Sequence, residues 1–177
     1  AFAHTEPTAR YDLSRVETSV TDGKLTGRKA VVVNAEAADH LIVSARESGD
    51  AGDAEGISLF LVERDAPGLT LRGYPLLAGG RAAEVTLDAT PAIRLGAAGA
   101  AFPAIESAVA AANVALAAEA FGAMITATDL TREYLVTRKQ FGRPIGPFQA
   151  LPHRMADMPL QLEQARSAGV NAAGHPA

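Results

Sequence analysis

The feature that most constrains this fold is a stretch with almost nothing in it to stop a helix. From residue 101 to about residue 139 the chain is Ala-rich; Pro103 fits a first helical turn and only Gly122 sits mid-run. Ala is the strongest helix former, and its small side chain lets neighbouring helices approach closely. Ile105, Val109, Ala112 and Leu116 share one face at helical spacing. A helix of roughly 38 residues would be roughly 57 Å long at about 1.5 Å per residue. A compact domain of this size does not need that length, so the helix is expected to pack against helices outside this chain or against another subunit. Gly142 and Pro144 stop it. Pro147 then starts a second helix carrying Leu151, Met155, Met158, Leu162 and Ala165, and the short connection predicts an antiparallel helical hairpin.

Upstream of Gly96 the hydrophobic period is two, not 3.6. Val16, Thr18 and Val20 alternate with Glu17 and Ser19, Asp22-Gly23 supplies a hairpin turn, and residues 25–33 return as a second strand. Residues 39–47 and 56–63 read as two more strands. The Gly/Asp-rich loop between them, 48–55, is expected to be mobile. A turn at Asp65-Ala66-Pro67-Gly68 precedes Leu69 and Leu71; the Gly79-Gly80 turn precedes Val85 and Leu87. Short strands at this spacing predict an antiparallel β-barrel or sandwich. The fold class is therefore α+β: a β-domain over 1–97, then a long-helix hairpin from an incomplete helical bundle over 98–177.

Composition removes several function classes. The 177 residues can bury a real core, and a formal charge of −4 gives no support for nucleic-acid binding. There is no Cys, which closes disulfide and thiolate-metal readings. His4, His40, His153 and His175 lack metal-ligand spacing, and no P-loop, dinucleotide fingerprint or G-x-S-x-G occurs. Residues 104–128 are interrupted by Glu106, Asn113 and Glu119, so no apolar run of membrane-spanning length is expected. No basic-then-apolar leader opens the chain, and a cytoplasmic protein is the expectation.

Chemistry concentrates where the helices meet. Arg138-Lys139-Gln140-Phe141-Gly142-Arg143-Pro144-Ile145, followed by Phe148-Gln149, sets a cation, a ring, a Gly and carboxamides around one corner. Arg pairs bidentately with a pyrophosphate, Gln donates and accepts at an amide-like edge, and Phe supplies a flat apolar wall. The bland alternative is an Arg138 pair with a surface carboxylate and a Phe141 that staples a helix end.

This corner resembles the R-x-x-F-G-x-x-I/L/V-x-x-x-Q corner of the acyl-CoA dehydrogenase flavoproteins. Further landmarks follow in the family's order: Thr5-Glu6-Pro7, Asp22-Gly23 to Gly27-Arg28-Lys29, Ala38-Asp39, Pro67-Gly68, and Leu95-Gly96 to Gly99 and Phe102. The resemblance spans nearly the whole chain and implies the family's middle β-domain leading into its C-terminal helical domain, without the N-terminal helical domain or the last C-terminal helices. It implies FAD lying between subunits, with Arg138, Gln140, Phe141 and Gln149 reaching an FAD held mainly by the partner, and Thr5 contributing from the β-domain. The implied reaction is α,β-dehydrogenation of an acyl-CoA thioester, with electrons passing to an electron-transfer flavoprotein.

Three positions depart from the family pattern. Arg10 and Tyr11 stand where small residues are usual, Val31-Val32-Val33 replaces an aromatic-Ile-Thr segment that covers the flavin ring, and Asn113 replaces an active-site Arg. No catalytic residue is assigned in this chain. The family's base lies beyond its last residue or, in a minority, near Glu106 or Glu119, which read as an exposed helical charge and a helix-packing polar residue. The expectations are a degenerate subunit completing a partner's FAD site in a hetero-oligomer, an ordinary homo-oligomeric dehydrogenase, or a scaffold of the same fold that binds no cofactor.

Overall fold

A computed structural model describes residues 1–174. The chain forms two compact units, residues 1–106 and 107–177.

The first unit is a sheet of eight strands: β1 (Phe2–Ala3), β2 (Ser19–Thr21), β3 (Lys24–Val33), β4 (His40–Arg46), β5 (Ile57–Glu63), β6 (Leu69–Pro75), β7 (Arg81–Pro91) and β8 (Ile93–Leu95). Hydrogen bonds link them in the order β6-β7-β3-β2-β4-β5-β8, with β1 also on β4. Antiparallel ladders dominate, but the sheet is mixed, because β1 and β2 both pair parallel to β4. The pairing path is open, running from β6 to β8 without closing. Asp22 and Gly23 join β2 to β3 with φ of 49° and 72°, the double left-handed turn whose twist matches a hairpin. The alternation read from sequence is the burial pattern: Leu25, Val43, Phe60, Val62, Val85 and Leu87 belong to the core cluster.

Two local expectations change. The strand expected from Val16 is only three residues long, because the amides of Glu17 and Thr18 bond the Glu6 carboxylate instead of a ladder. The 48–55 loop, expected to be mobile, is wound around one side chain. The Arg46 guanidinium donates to the carbonyls of Ser48, Ala51, Asp53 and Glu55 at 2.8–3.3 Å, and to those of Ser14 and Val16. Arg46 is 9% exposed, so these bonds replace lost water.

The second unit carries α1 (Phe102–Thr137, which begins in the first unit), a small hairpin of β9 (Lys139–Gln140) and β10 (Arg143–Pro144), and α2 (Ala150–Gly174). All five apolar positions read on α2, Leu151, Met155, Met158, Leu162 and Ala165, are half-buried. On α1 the expected face holds only at Ile105 and Val109; Ala112 and Leu116 are exposed, and Phe121, Met124, Thr128, Thr131 and Leu135 form the half-buried stripe. The second helix starts at Ala150, not Pro147, since residues 145–148 form a turn closed by Phe148 N–H to the Ile145 carbonyl at 3.0 Å. The expectation that no apolar run reaches membrane-spanning length is also corrected: α1 is long and apolar enough to cross a membrane by length and composition, because Ala dilutes its few polar residues.

Candidate functional site

The corner between α1 and α2 is built by backbone. Phe141 and Gly142 have φ of 54° and 77°, so the two-residue turn between β9 and β10 has the same left-handed form as the Asp22-Gly23 turn. The Ile145 amide donates to the Arg138 carbonyl at 2.9 Å, and the Gly146 amide to the Leu135 carbonyl at 2.8 Å. A Cβ on Gly146 would lie 2.9 Å from that Leu135 oxygen, so only Gly lets the strand return so close to α1. Phe148 meets the Phe141 ring edge-on, centroids 6.1 Å apart, and the Arg143 guanidinium lies 4.6 Å over the Phe148 ring.

On this frame the side chains expected to meet a cofactor are unspent. Arg138, Gln140 and Gln149 are exposed, and none has a side-chain hydrogen bond or ion pair among the described residues. Phe141 is 89% exposed. The bland alternative, an Arg138 pair with a surface carboxylate, is not formed. Behind the turn, Leu135, Val136, Pro144, Pro152, Met155 and Pro159 line an apolar groove of about 730 Å³. The structure thus brings Arg138, Gln140, Phe141 and Gln149 into one turn and helix start.

Thr5 belongs to the other unit, where a buried network fixes its backbone. Its carbonyl accepts from the Ala30 amide at 2.8 Å. Next to it, the Glu6 carboxylate meets the Lys29 ammonium at 2.6 Å, with Lys29 fully buried and Glu6 nearly so. Lys29 also donates to the His4 carbonyl at 3.2 Å and to Ser44 Oγ at 3.0 Å, which uses all three of its N–H groups. The Ser44 hydroxyl also shares a hydrogen bond of 2.8 Å with His4 Nδ1, its direction set by the imidazole tautomer. Burial, reinforced by the Lys29 charge, lowers the His4 pKa to about 4, so the ring is neutral. Burial also lowers Lys29 to about 8, against the pull of Glu6. Burial works to raise Glu6, but Lys29 and the hydrogen bonds outweigh it and hold the carboxyl below its usual range. The sequence pointed to Glu6 and Lys29 only as landmarks; His4 and Ser44 were missed, since contacts spanning 40 residues leave no local pattern.

Most departing positions lie in the open; Val32 is the exception, 2% exposed and part of the core cluster. Tyr11 is fully exposed and Arg10 has a φ of 52°. Val31 sits at a bulge in β3 with a φ of 53°, rare for a β-branched residue, and Val31 and Val33 are about half exposed. Asn113, Glu106 and Glu119 are exposed on α1. Among the described residues no group of His and carboxylates could hold a metal ion; His175 lies outside those residues.

Comparison with known proteins now places the chain. Residues 1–89 match the acyl-CoA dehydrogenase middle-domain family model, and residues 91–176 match the acyl-CoA dehydrogenase C-terminal-domain model. An acyl-CoA dehydrogenase of Bacillus subtilis (strain 168) is 34% identical over 94% of this chain and 46% of its own length. A solved variant of the Tcur3481-Tcur3483 steroid ACAD is 36% identical, with a TM-score of 0.79 over 98% of this chain and 46% of that one. The structure described as PigA with FAD and proline is 31% identical, with a TM-score of 0.86 over 95% of this chain and 46% of that one. The chain spans about half the length of the curated relatives it matches. With both units matched in order and the corner geometry in place, this chain belongs to the acyl-CoA dehydrogenase family.

Proposed function

We propose that the chain serves FAD-dependent α,β-dehydrogenation of an acyl-CoA thioester, and that its corner completes an FAD site held chiefly by a neighbouring subunit. The observation that carries this reading is the set of unpartnered side chains, Arg138, Gln140 and Gln149, around a turn fixed by its own backbone. They suit the cofactor's chemistry. Arg138 would pair with the pyrophosphate, Gln140 and Gln149 would meet polar edges of the nucleotide, and Phe141 would cover an aromatic face. From the β-domain, Thr5 would contribute its hydroxyl, on a segment tied down by Glu6 and Lys29. Bound FAD supplies an acceptor for the hydride lost from the acyl β-carbon, with electrons passing on to an electron-transfer flavoprotein. The proton at the α-carbon would be removed by a carboxylate outside this chain's described residues.

A hetero-oligomer is the assembly we favour, because Arg10, Tyr11, Val31 and Asn113 depart from the family pattern while the corner keeps it. The joined name of the Tcur3481-Tcur3483 relative supports a two-component arrangement. The test is the flavin absorbance of the purified full-length chain, alone and with candidate partner chains. Yellow only with a partner is the expected result. Yellow alone means an ordinary homo-oligomer; colourless in both cases overturns the cofactor reading in favour of a scaffold. In the yellow complex, Arg138→Ala should loosen FAD, and unchanged retention would remove Arg138 from the site.

A further inference from the structure

We propose that the outer face of β3, β6 and β7 carries a binding site for a phosphoryl group, built around Arg28 and Arg72. Strand register aligns the donors. Arg28 lies opposite Thr86, Thr86 opposite Thr70, and Arg72 opposite Glu84, one step along the same ladder. These five residues and Pro7 line a cavity of about 350 Å³, backed by the buried Lys29 and Val85. Arg28, Arg72, Thr70 and Thr86 have no side-chain hydrogen bond or ion pair among the described residues.

The free charge is a consequence of local construction. Opposite charges facing each other across a ladder ordinarily pair. Here Glu84 Oε1 instead accepts the Tyr74 hydroxyl at 2.8 Å and the Val31 amide at 3.5 Å. The hydrogen bond to Glu84 raises the Tyr74 pKa, as expected for a phenol whose proton is held by a carboxylate. The unusual backbone of Val31 turns its amide toward this group. Arg72 is left without its ladder partner. Lys29 adds no demand for an anion, since its charge is matched by Glu6. Two arginines and two threonines therefore line one cavity from three strands. One guanidinium fork already satisfies both oxygens of a carboxylate, so a set of this size suits the additional oxygens of a phosphoryl group.

The experiment is calorimetric titration of the full chain with inorganic phosphate, ADP and coenzyme A, in parallel with Arg28→Gln, Arg72→Gln, Thr70→Val and Arg138→Ala variants. The expected result is saturable binding that weakens at least about tenfold in each of the first two variants and less in Thr70→Val, with Arg138→Ala affecting at most the two ligands that carry a pyrophosphate. Phosphate binding as tightly as ADP would assign the site to the free anion; preference for ADP or coenzyme A would assign it to a nucleotide phosphate. No saturable heat with any of the three overturns the proposal. So does binding unchanged in both Arg28→Gln and Arg72→Gln, or lost only in Arg138→Ala. Both arginines are exposed, and far-UV circular dichroism checks their folding; if either variant unfolds, unchanged binding in Thr70→Val and Thr86→Val overturns the proposal instead. Flavin absorbance is a separate readout, so failure here leaves the corner reading to its own test.

Discussion

At the scale of single residues, the decisive group is a buried ion pair that local sequence does not announce. Lys29 and Glu6 are both removed from water, and each satisfies the other with additional backbone bonds. Removing one partner leaves a buried charge, which costs about 3–5 kcal/mol, whereas removing both costs much less. Lys29→Met alone should therefore lower the denaturation free energy by about that amount, and adding Glu6→Gln should recover most of it. A double variant no more stable than Lys29→Met would show that the pair is not coupled. The neighbouring His4 gives a pH dependence with a definite sign. Its pKa is about 4 in the folded chain against 6.5 in a free chain. As pH falls from 6.5 to 4, the unfolded chain takes up the proton first, so stability declines across that window by roughly 3 kcal/mol at most. His4→Gln should flatten that slope in denaturation curves at several pH values. An unaltered slope would assign the acid sensitivity to other groups.

At the scale of elements, hydrophobic period found the longer strands and both helices, missed the short strands β1, β8, β9 and β10, and left backbone detail to set the boundaries. Alternation located β3 to β7, and i, i+4 spacing located α2 with its half-buried stripe complete. Beyond Val109 the face of α1 was misread because Ala on every side makes the faces look alike. The β9/β10 hairpin was invisible because two residues per strand carry no period. The loop around Arg46 looked mobile because Gly and Asp mark loops, while the side chain that organises it belongs to the preceding strand. For the candidate site, the residue types at the corner were legible; what was not legible was that a left-handed pair, Phe141 and Gly142, fixes their frame. Gly142 at a φ of 77° makes this testable, since a non-Gly residue there costs roughly 1–2 kcal/mol. Gly142→Val should speed exchange of the Ile145 amide, which bonds the Arg138 carbonyl across the hairpin, while amides in β4 and β5 stay protected. Unchanged Ile145 exchange would show that the turn does not depend on its glycine.

At the scale of the whole molecule, the two units differ in what holds them. The β unit has a core of fully buried side chains, including Leu25, Val43, Val62 and Val85. α2 has no buried residue, and the one buried residue of α1, Ile105, lies within the first unit. Leu130, Tyr134, Val136, Leu160 and Val170 are more than half exposed. Helices draw most of their stability from packing an apolar face, so these two lack the support that the sheet has. The length of α1 carried this message in the sequence, which asked for packing from outside the chain. Denaturation should therefore proceed in two steps, with the helical signal at 222 nm lost at lower denaturant than amide protection in β3 to β5. A partner that binds the native helices must raise the first midpoint with concentration and leave the second nearly in place. A single coincident transition, indifferent to any partner, would mean that the helices need no neighbour, and the subunit arrangement proposed for the flavin site would lose its physical basis.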